Sequence, residues 1–440
     1  MRLFFYLLLS LCLPDLLQAQ ALIKDIRPGT PSSKPDQLVN VNGTLFFVAD
    51  DGEHGPELWK SNGTSAGTIL VKDLIPGPAG SAINDMTPVN GKLFFSALSP
   101  SSKTRQLWVS SGFAANTVIP YDGHKEAEVR DASQLTAFAV EVYYVKHGSL
   151  GGTDQWLVQH SDGSPSGTKA FLQFGFDPVK EGKQPPAYFT YLTGSIYFAY
   201  KGDLWRTNGQ SGATNSFVVK AGTDPKSLVN YGTSLLFIGG PSQSELWSSQ
   251  GTLGSTKKVL IPTGGSKLYG LTRAGKYVFF SAGTGAKEVW VTDGTAQGTK
   301  KLASLSGPIG KLINLSTPNP FQLGDYKTYF TTAPTNELYF TDGKSVTKVT
   351  GAFNGPVTSL VKFKESLYFT AANGLFQTSN TQAVPVFTSN SSISNLADVN
   401  GRLFFSHDGP ASGVELFGLG FLAKSIPLLK GAGKASQAQK

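Results

Sequence analysis

The sequence predicts an all-β fold, a single β-propeller of four-stranded antiparallel blades, and three observations predict it. The stretch Glu57-Leu58-Trp59-Lys60-Ser61-Asn62-Gly63-Thr64-Ser65-Ala66-Gly67-Thr68 recurs in variant form along the chain. A run of consecutive apolar residues precedes every copy, and dipeptides suited to tight turns bracket the runs. The composition agrees: 440 residues include 50 Gly and 29 Phe, and only 15% are charged, as in all-β proteins with many turns. Self-similarity of this kind decides the architecture before any single element is assigned.

Each unit opens with an apolar approach, a turn and an aromatic strand. Val41-Asn42-Gly43-Thr44-Leu45-Phe46-Phe47 and Val89-Asn90-Gly91-Lys92-Leu93-Phe94-Phe95 are nearly identical. Later versions are Val142-Tyr143-Tyr144, Ile196-Tyr197-Phe198, Leu235-Leu236-Phe237, Val278-Phe279-Phe280, Thr328-Tyr329-Phe330, Leu367-Tyr368-Phe369 and Leu403-Phe404-Phe405. Three apolar residues in a row do not alternate in and out, so this strand is expected to be covered on both faces. Asn42-Gly43, Asn90-Gly91 and Asn400-Gly401 suit a type I′ hairpin turn, which needs positive φ at both central positions.

The next strand carries the repeat aromatics: Trp59, Trp108, Trp156, Trp205, Trp247 and Trp290, with Tyr339, Phe376 and Phe417 in weaker copies. Recurrence in every unit points to packing between blades rather than to a sugar-stacking platform, because a ligand site uses one place. Asn62-Gly63, Asp162-Gly163, Asn208-Gly209, Asp293-Gly294 and Asp342-Gly343 end this strand. Their Asn and Asp are expected to tolerate left-handed backbone and to bond their own main chain. Gly67-Thr68, Gly167-Thr168 and Gly298-Thr299 lead into a fourth strand.

Such a unit, apolar on both faces, meets the requirement of a propeller blade, with a linear β-solenoid as the rival. Nine units are counted. Eight blades are the alternative, with one degenerate unit between Tyr339 and Phe387 absorbed into loops. Leu22-Ile23-Lys24-Asp25-Ile26-Arg27-Pro28-Gly29 matches Leu70-Val71-Lys72-Asp73-Leu74-Ile75-Pro76-Gly77 in kind. This segment therefore reads as the last strand of a blade whose other strands belong to the final unit, around Leu403 to Phe417. That pairing would close the ring and remove two exposed edges. Phe421-Leu422-Ala423 is the local competitor for the same place.

Residues 1–21 read as a secretory signal peptide: a basic Arg2, an apolar run from Leu3 to Leu13, and Ala19 and Ala21 in an A-x-A arrangement. The run is shorter than a membrane span needs, and no later stretch supplies one. The only cysteine, Cys12, lies inside it and follows Leu11 rather than a small residue, which disfavours lipidation. The expected organisation is a repeat domain over 22–423 and a basic tail over 424–440, in an exported protein of the periplasm or cell surface. The formal charge is +8, and Lys424, Lys430, Lys434 and Lys440 lie in the tail. The tail reads as solvated, with a polyanion- or membrane-binding arm, making weak contact, as the alternative. No nucleic-acid motif is present.

The string Glu-Leu-Trp-x-x-Asp/Asn-Gly-Thr-x-x-Gly-Thr, preceded by Asn-Gly-x-Leu-Phe-Phe and followed by Val-Lys-Asp, closely resembles the ELWxxDGT repeat family of exported bacterial proteins. The best matches are Glu57 to Asp73 and Glu288 to Thr299, and the resemblance covers essentially all of the chain after residue 21. It implies an extracytoplasmic or surface repeat protein and brings no catalytic residues. The units around Trp108, Trp156 and Trp205 depart from the pattern, and the last three lack tryptophan.

No cofactor, metal set or catalytic set is expected. His54, His124, His147, His160 and His407 show no metal-ligand spacing, and no nucleophile elbow, phosphate loop or dinucleotide fingerprint occurs in a fitting context. The densest polar cluster is Asp50, Asp51, Glu53 and His54, read as a solvated hairpin loop. Calcium is its alternative ligand, without the spacing of an EF-hand. Asn42, Asn62, Asn314 and Asn390 carry the glycosylation pattern of a eukaryotic secretory pathway, and two of them are better explained as turn residues. The function expected is a non-enzymatic binding platform for a protein or glycan at the cell surface. Its specificity would lie in the loops between Phe47 and Glu57, Ala97 and Gln106, and Tyr144 and Gln155. The rivals are a glycan-active hydrolase or lyase with acids gathered in the channel, and a structural envelope component retained by its tail.

Overall fold

The computed structural model describes residues 20–120, 129–150, 153–176, 184–209, 216–260, 265–314 and 327–419. The leader up to Ala19, His124, the competing strand Phe421-Leu422-Ala423 and the tail lysines lie outside these residues.

Nine sheets form nine blades, and among the described residues helix is confined to one short turn, Ala114–Asn116. In chain order blades 1 to 9 span residues 36–72, 84–110, 129–175, 187–220, 226–260, 268–304, 309–348, 360–388 and 393–419. Blades 7 and 8 are both formed, so the eight-blade alternative falls. Seven sheets have four strands. Blade 2 departs from the four-stranded expectation: three strands are followed by a single bridge, Val109 to Val118. Blade 8 has a fifth strand, because Thr350–Gly351 runs parallel to Gln382–Thr388 along its outer edge.

The first strand of each blade touches the first strand of both neighbours around the whole circuit, from Asp36–Val41 against Asn84–Val89 to Ile393–Val399 back against Asp36–Val41. First strands therefore surround the axis, and fourth strands form the rim. The fourth strand of blade 9 is Ala21–Lys24, with Ala21 opposite Gly418, Leu22 opposite Phe417 and Lys24 opposite Leu416. The ring is closed by the start of the chain pairing with its last unit, as expected.

The apolar runs are explained by which side each residue serves. Leu45, Phe47 and Ala49 pack with Phe404, Leu416 and Val399 of blade 9, whereas Phe46 and Val48 pack with Leu93, Phe95 and Trp108 of blade 2. Alternation along a strand is preserved, but both sides are core because each faces another blade. Across the strand pair, Phe95–Trp108, Phe198–Trp205, Phe237–Trp247, Phe280–Trp290, Phe330–Tyr339, Phe369–Phe376 and Phe405–Phe417 stack at 5.6–6.3 Å between ring centroids.

Trp156 is a correction. Blade 3 pairs Val142 with Ser161 where blade 1 pairs Leu45 with Ser61, so Gln159, opposite Tyr144, holds the place of Trp59. Trp156 lies three residues earlier, opposite His147 and stacked on Phe176 at 5.2 Å. It is still buried, so its packing role stands while its equivalence does not.

The first turn of the blade has two residues wherever it is described, in blades 1 to 6, 8 and 9. Asn42 and Gly43 have φ of 46° and 84°, and Asn400 and Gly401 have 52° and 71°, as a type I′ turn requires. The second turn bears out one half of the sequence reading, that its Asn and Asp bond their own main chain, and corrects the other. Gly63 is left-handed at φ 87°, but Asn62 is not. Asn62 is selected instead as an acceptor, taking hydrogen bonds from the Thr64 amide at 3.0 Å and the Thr64 hydroxyl at 2.8 Å.

Candidate binding faces

Antiparallel strands place the first and second turns of every blade on one face, and the loop between second and third strands on the other, beside the connectors from blade to blade. The two faces are built differently.

On the turn face, the motif's polar residues form a closed hydroxyl box. The Ser61 and Thr68 hydroxyls lie 2.8 Å apart, the Gly63 amide donates to Ser61, the Gly67 amide donates to the Thr64 hydroxyl, and Thr68 donates to the Thr64 carbonyl. The same hydroxyl pair recurs as Ser110–Thr117, Ser161–Thr168, Ser249–Thr256 and Thr292–Thr299 at 2.7–2.8 Å. The box lies against the preceding blade: Lys24 of blade 9 donates to the Thr68 carbonyl, and Lys72 of blade 1 to that of Thr117. Lys72 also stands 5.7 Å from the Trp108 ring. The lysine of the motif's Val71-Lys72-Asp73 segment, and of its counterpart Ile23-Lys24-Asp25, is thus a latch between blades 1 and 2 and between blades 9 and 1.

On the opposite face, the loop between second and third strands varies from two residues, Lys201-Gly202 in blade 4, to six, 99–104 in blade 2. The polar cluster predicted from sequence lies at the end of the second strand of blade 1 and in loop 51–55, and the structure pairs two of its side chains, Asp51 and His54. Asp50 accepts from Arg27 at 2.9 Å and from the Gly52 amide at 2.7 Å. Asp51 accepts from the amides of Glu53 and His54, and its other oxygen lies 2.8 Å from His54 Nδ1. Partial burial raises the Asp51 carboxyl, but these donors outweigh it and leave it below the usual range. The Asp51 hydrogen bond holds the His54 ring above its ordinary value. The two aspartates are occupied within the loop and with Arg27, and no group of three His, Cys, Asp or Glu side chains converges among the described residues.

The sequence reading missed two buried carboxylates beneath this face. Glu57 accepts from the amides of Leu74 and Ile75 and from the Ser81 hydroxyl, and Glu415 accepts from the amides of Ile26, Arg27 and Ser33 and from the Ser33 hydroxyl. Each ties its blade to the connector leading into the next first strand. Burial pushes the Glu57 carboxyl up to about 7 against the pull of its donors, and pushes Glu415 up as well. In blades 5 to 7 the same motif position turns outward. Glu245 and Glu288 accept from the indoles of Trp247 and Trp290 and pair with Lys258 and Lys301, while Glu337 takes Tyr339 and Lys348. A comparison of the chain's own repeats exposes the switch. Leu22 and Leu70 stand opposite the aromatic in blades 9 and 1, and Lys258, Lys301 and Lys348 stand there in blades 5 to 7.

Two clefts lie among the described residues. One of about 470 Å³ lies on the loop face at blade 7, between Thr335, Glu337, Lys348, Phe353 and Asn354. The other, about 360 Å³, lies on the turn face at the ring seam, lined by Asn62, Asn400, Arg402 and Phe404. Blade 3 adds a buried His147, whose Nε2 is 3.5 Å from Asp154, and a His160–Glu141 contact at 3.2 Å. Trp59, Trp108, Trp156 and Trp247 are buried, and Trp205 and Trp290 are partly buried against the core, so the six form no exposed platform.

No protein-family model matches the chain, and no curated protein matches it. Among solved structures it is similar to the extracellular domain of the one-component system BT4673 from B. thetaiotaomicron, at 12% identity and a TM-score of 0.35, over 91% of this chain and 58% of that one. BamB from Moraxella catarrhalis is 11% identical with a TM-score of 0.36, over 63% and 81%. A prolyl endopeptidase is 12% identical with a TM-score of 0.47, over 88% and 55%. The chain thus spans little more than half the length of the first and third. These likenesses are too low to assign a role.

Proposed function

We propose that the protein is a secreted, non-enzymatic platform that binds a protein or a glycan at the cell surface through the loop-bearing face of its propeller. The observation that carries this reading is the unequal treatment of the two faces. In blades 1, 2, 3, 5 and 6 the turn face repeats one box whose hydroxyls are consumed internally, and in blades 1 and 2 it is also bonded to the neighbouring blade, whereas the loop face differs from blade to blade in length and sequence. A rigid scaffold that varies only its loops is the usual division of labour in recognition. Export is supported by the leader pattern of residues 1–21 and by the likeness to ELWxxDGT repeats. Among the described residues no helix is long and apolar enough to cross a membrane.

A glycan-array screen of the chain from residue 22, with product detection on the same sugars, tests this reading. Binding without cleavage is expected, and it should weaken when loop 51–55 is shortened to a two-residue turn like Lys201-Gly202. Cleavage of a bound sugar would overturn the reading and transfer attention to acids near the axis. If no sugar binds, the reading survives only through its protein arm, to be tested by crosslinking at the cell surface.

A further inference from the structure

The positive charge of this protein is not spread around the ring. Residues 226–348, which make blades 5 to 7, contain thirteen Lys and Arg against six Asp and Glu, whereas residues 36–110, blades 1 and 2, contain five against seven. Part of this excess stands in register on three consecutive rim strands. Lys258 lies opposite Trp247, Lys301 opposite Trp290 and Lys348 opposite Tyr339, and Lys257 and Lys300 precede the first two at matched positions. All five are exposed. At the equivalent places of blades 9 and 1 stand Leu22, Ile69 and Leu70.

The acids of this sector that lie among the described residues do not cancel the row. Glu245, Glu288 and Glu337 each hold one lysine, and Asp293 and Asp342 are engaged by the amides and hydroxyls of their own turns. Lys257 and Lys300 take part in none of these pairs. The result is a line of cations running along the circumference at one height, with net charge left over.

We propose that the rim of blades 5 to 7 is a binding surface for a linear polyanion of the acidic-polysaccharide class. A row of lysines at one register on a convex edge matches a string of carboxylates or sulfates better than it matches a plane, and neutralising such a chain releases its condensed counterions. This surface is separate from the loop face and does not depend on the reading given for it.

Binding of the full chain to polygalacturonate, as a function of salt, tests the proposal, with a neutral polysaccharide and anionic phospholipid vesicles as comparators. Binding at low salt that falls steeply with added salt is expected. The double variant Lys257→Gln/Lys300→Gln should bind about ten-fold more weakly at ~50 mM salt and show a shallower log–log salt slope. Lys34→Gln/Lys103→Gln, at exposed sites in the connector before blade 1 and in a loop of blade 2, should bind as the parent does, and so should a variant with Lys424, Lys430, Lys434 and Lys440 changed to Gln. All substituted side chains within the described residues are exposed, so unchanged melting temperatures are the control for folding. No binding at low salt, an unaffected rim variant, loss confined to the tail variant, or equal affinity for the vesicles would each overturn the assignment.

Discussion

At the scale of the residue, the motif's glutamate shows how one side chain takes two roles according to its neighbours. In blade 1 a leucine opposite the tryptophan leaves Glu57 buried on connector amides, and in blade 6 a lysine there draws Glu288 out. The raised carboxyl of Glu57 has a definite sign in stability. A group whose folded pKa is raised stabilises the fold fully below its unfolded value, near 4.5, and loses that contribution as pH rises through about 7. The melting-temperature advantage of the parent over Glu57→Gln is therefore expected to be largest near pH 4.5 and to shrink by pH 8; a constant gap would show that the carboxyl is ionised throughout. Gly251 is under a different constraint. Its φ is 88°, and a Cβ there would collide with the Tyr197 hydroxyl of the preceding blade. Gly251→Ala should cost about 2 kcal/mol or more in denaturant unfolding, since left-handed strain alone contributes roughly 1–2 kcal/mol.

At the scale of the element, the hydroxyl box explains why the turn sequence recurs so faithfully while the strands tolerate Trp, Tyr or Phe. Each residue of the box satisfies another, and removing one of its buried hydroxyls, that of Ser61 or Thr68, leaves a buried group without a partner. Ser61→Ala strands the Gly63 amide and deprives Thr68 of one of its hydrogen bonds, so a loss of about 1–3 kcal/mol is expected by chemical denaturation. The rim pair Lys301–Glu288 is another matter. Both side chains are partly exposed, and a double-mutant cycle should give a coupling of at most about 1 kcal/mol that fades with salt. The strands were legible because their apolar runs and Asn-Gly turns obey local rules. The place of Trp156 in its blade was not, since register is set by pairing partners distant in sequence, and for Asn62 the main-chain bond was legible but the backbone conformation was not, because an acceptor and a left-handed residue favour the same letters.

At the scale of the whole molecule, the ring depends on its two ends meeting. The strand Ala21–Lys24 completes blade 9, and the segment after it supplies every hydrogen-bond donor that Glu415 uses. A chain beginning at residue 36 would deprive Glu415 of these donors and expose the edge of Gly413–Leu419. It is expected to melt at lower temperature than the full ring and to associate through that edge, as seen by size-exclusion chromatography. A monomer of unchanged stability would show that blade 9 stands without its closing strand.

By itself the sequence determined the all-β class, the count of nine units, the strands that must be covered on both sides and the self-pairing of the ends. Those follow from periodicity and turn chemistry, which act over a few residues and repeat. Only the tertiary structure decided which carboxylates are buried, which lysines latch blades and which line the rim, and which face is left to vary. Each of those depends on what lies across a blade interface or opposite a strand, and sequence distance carries little information about either.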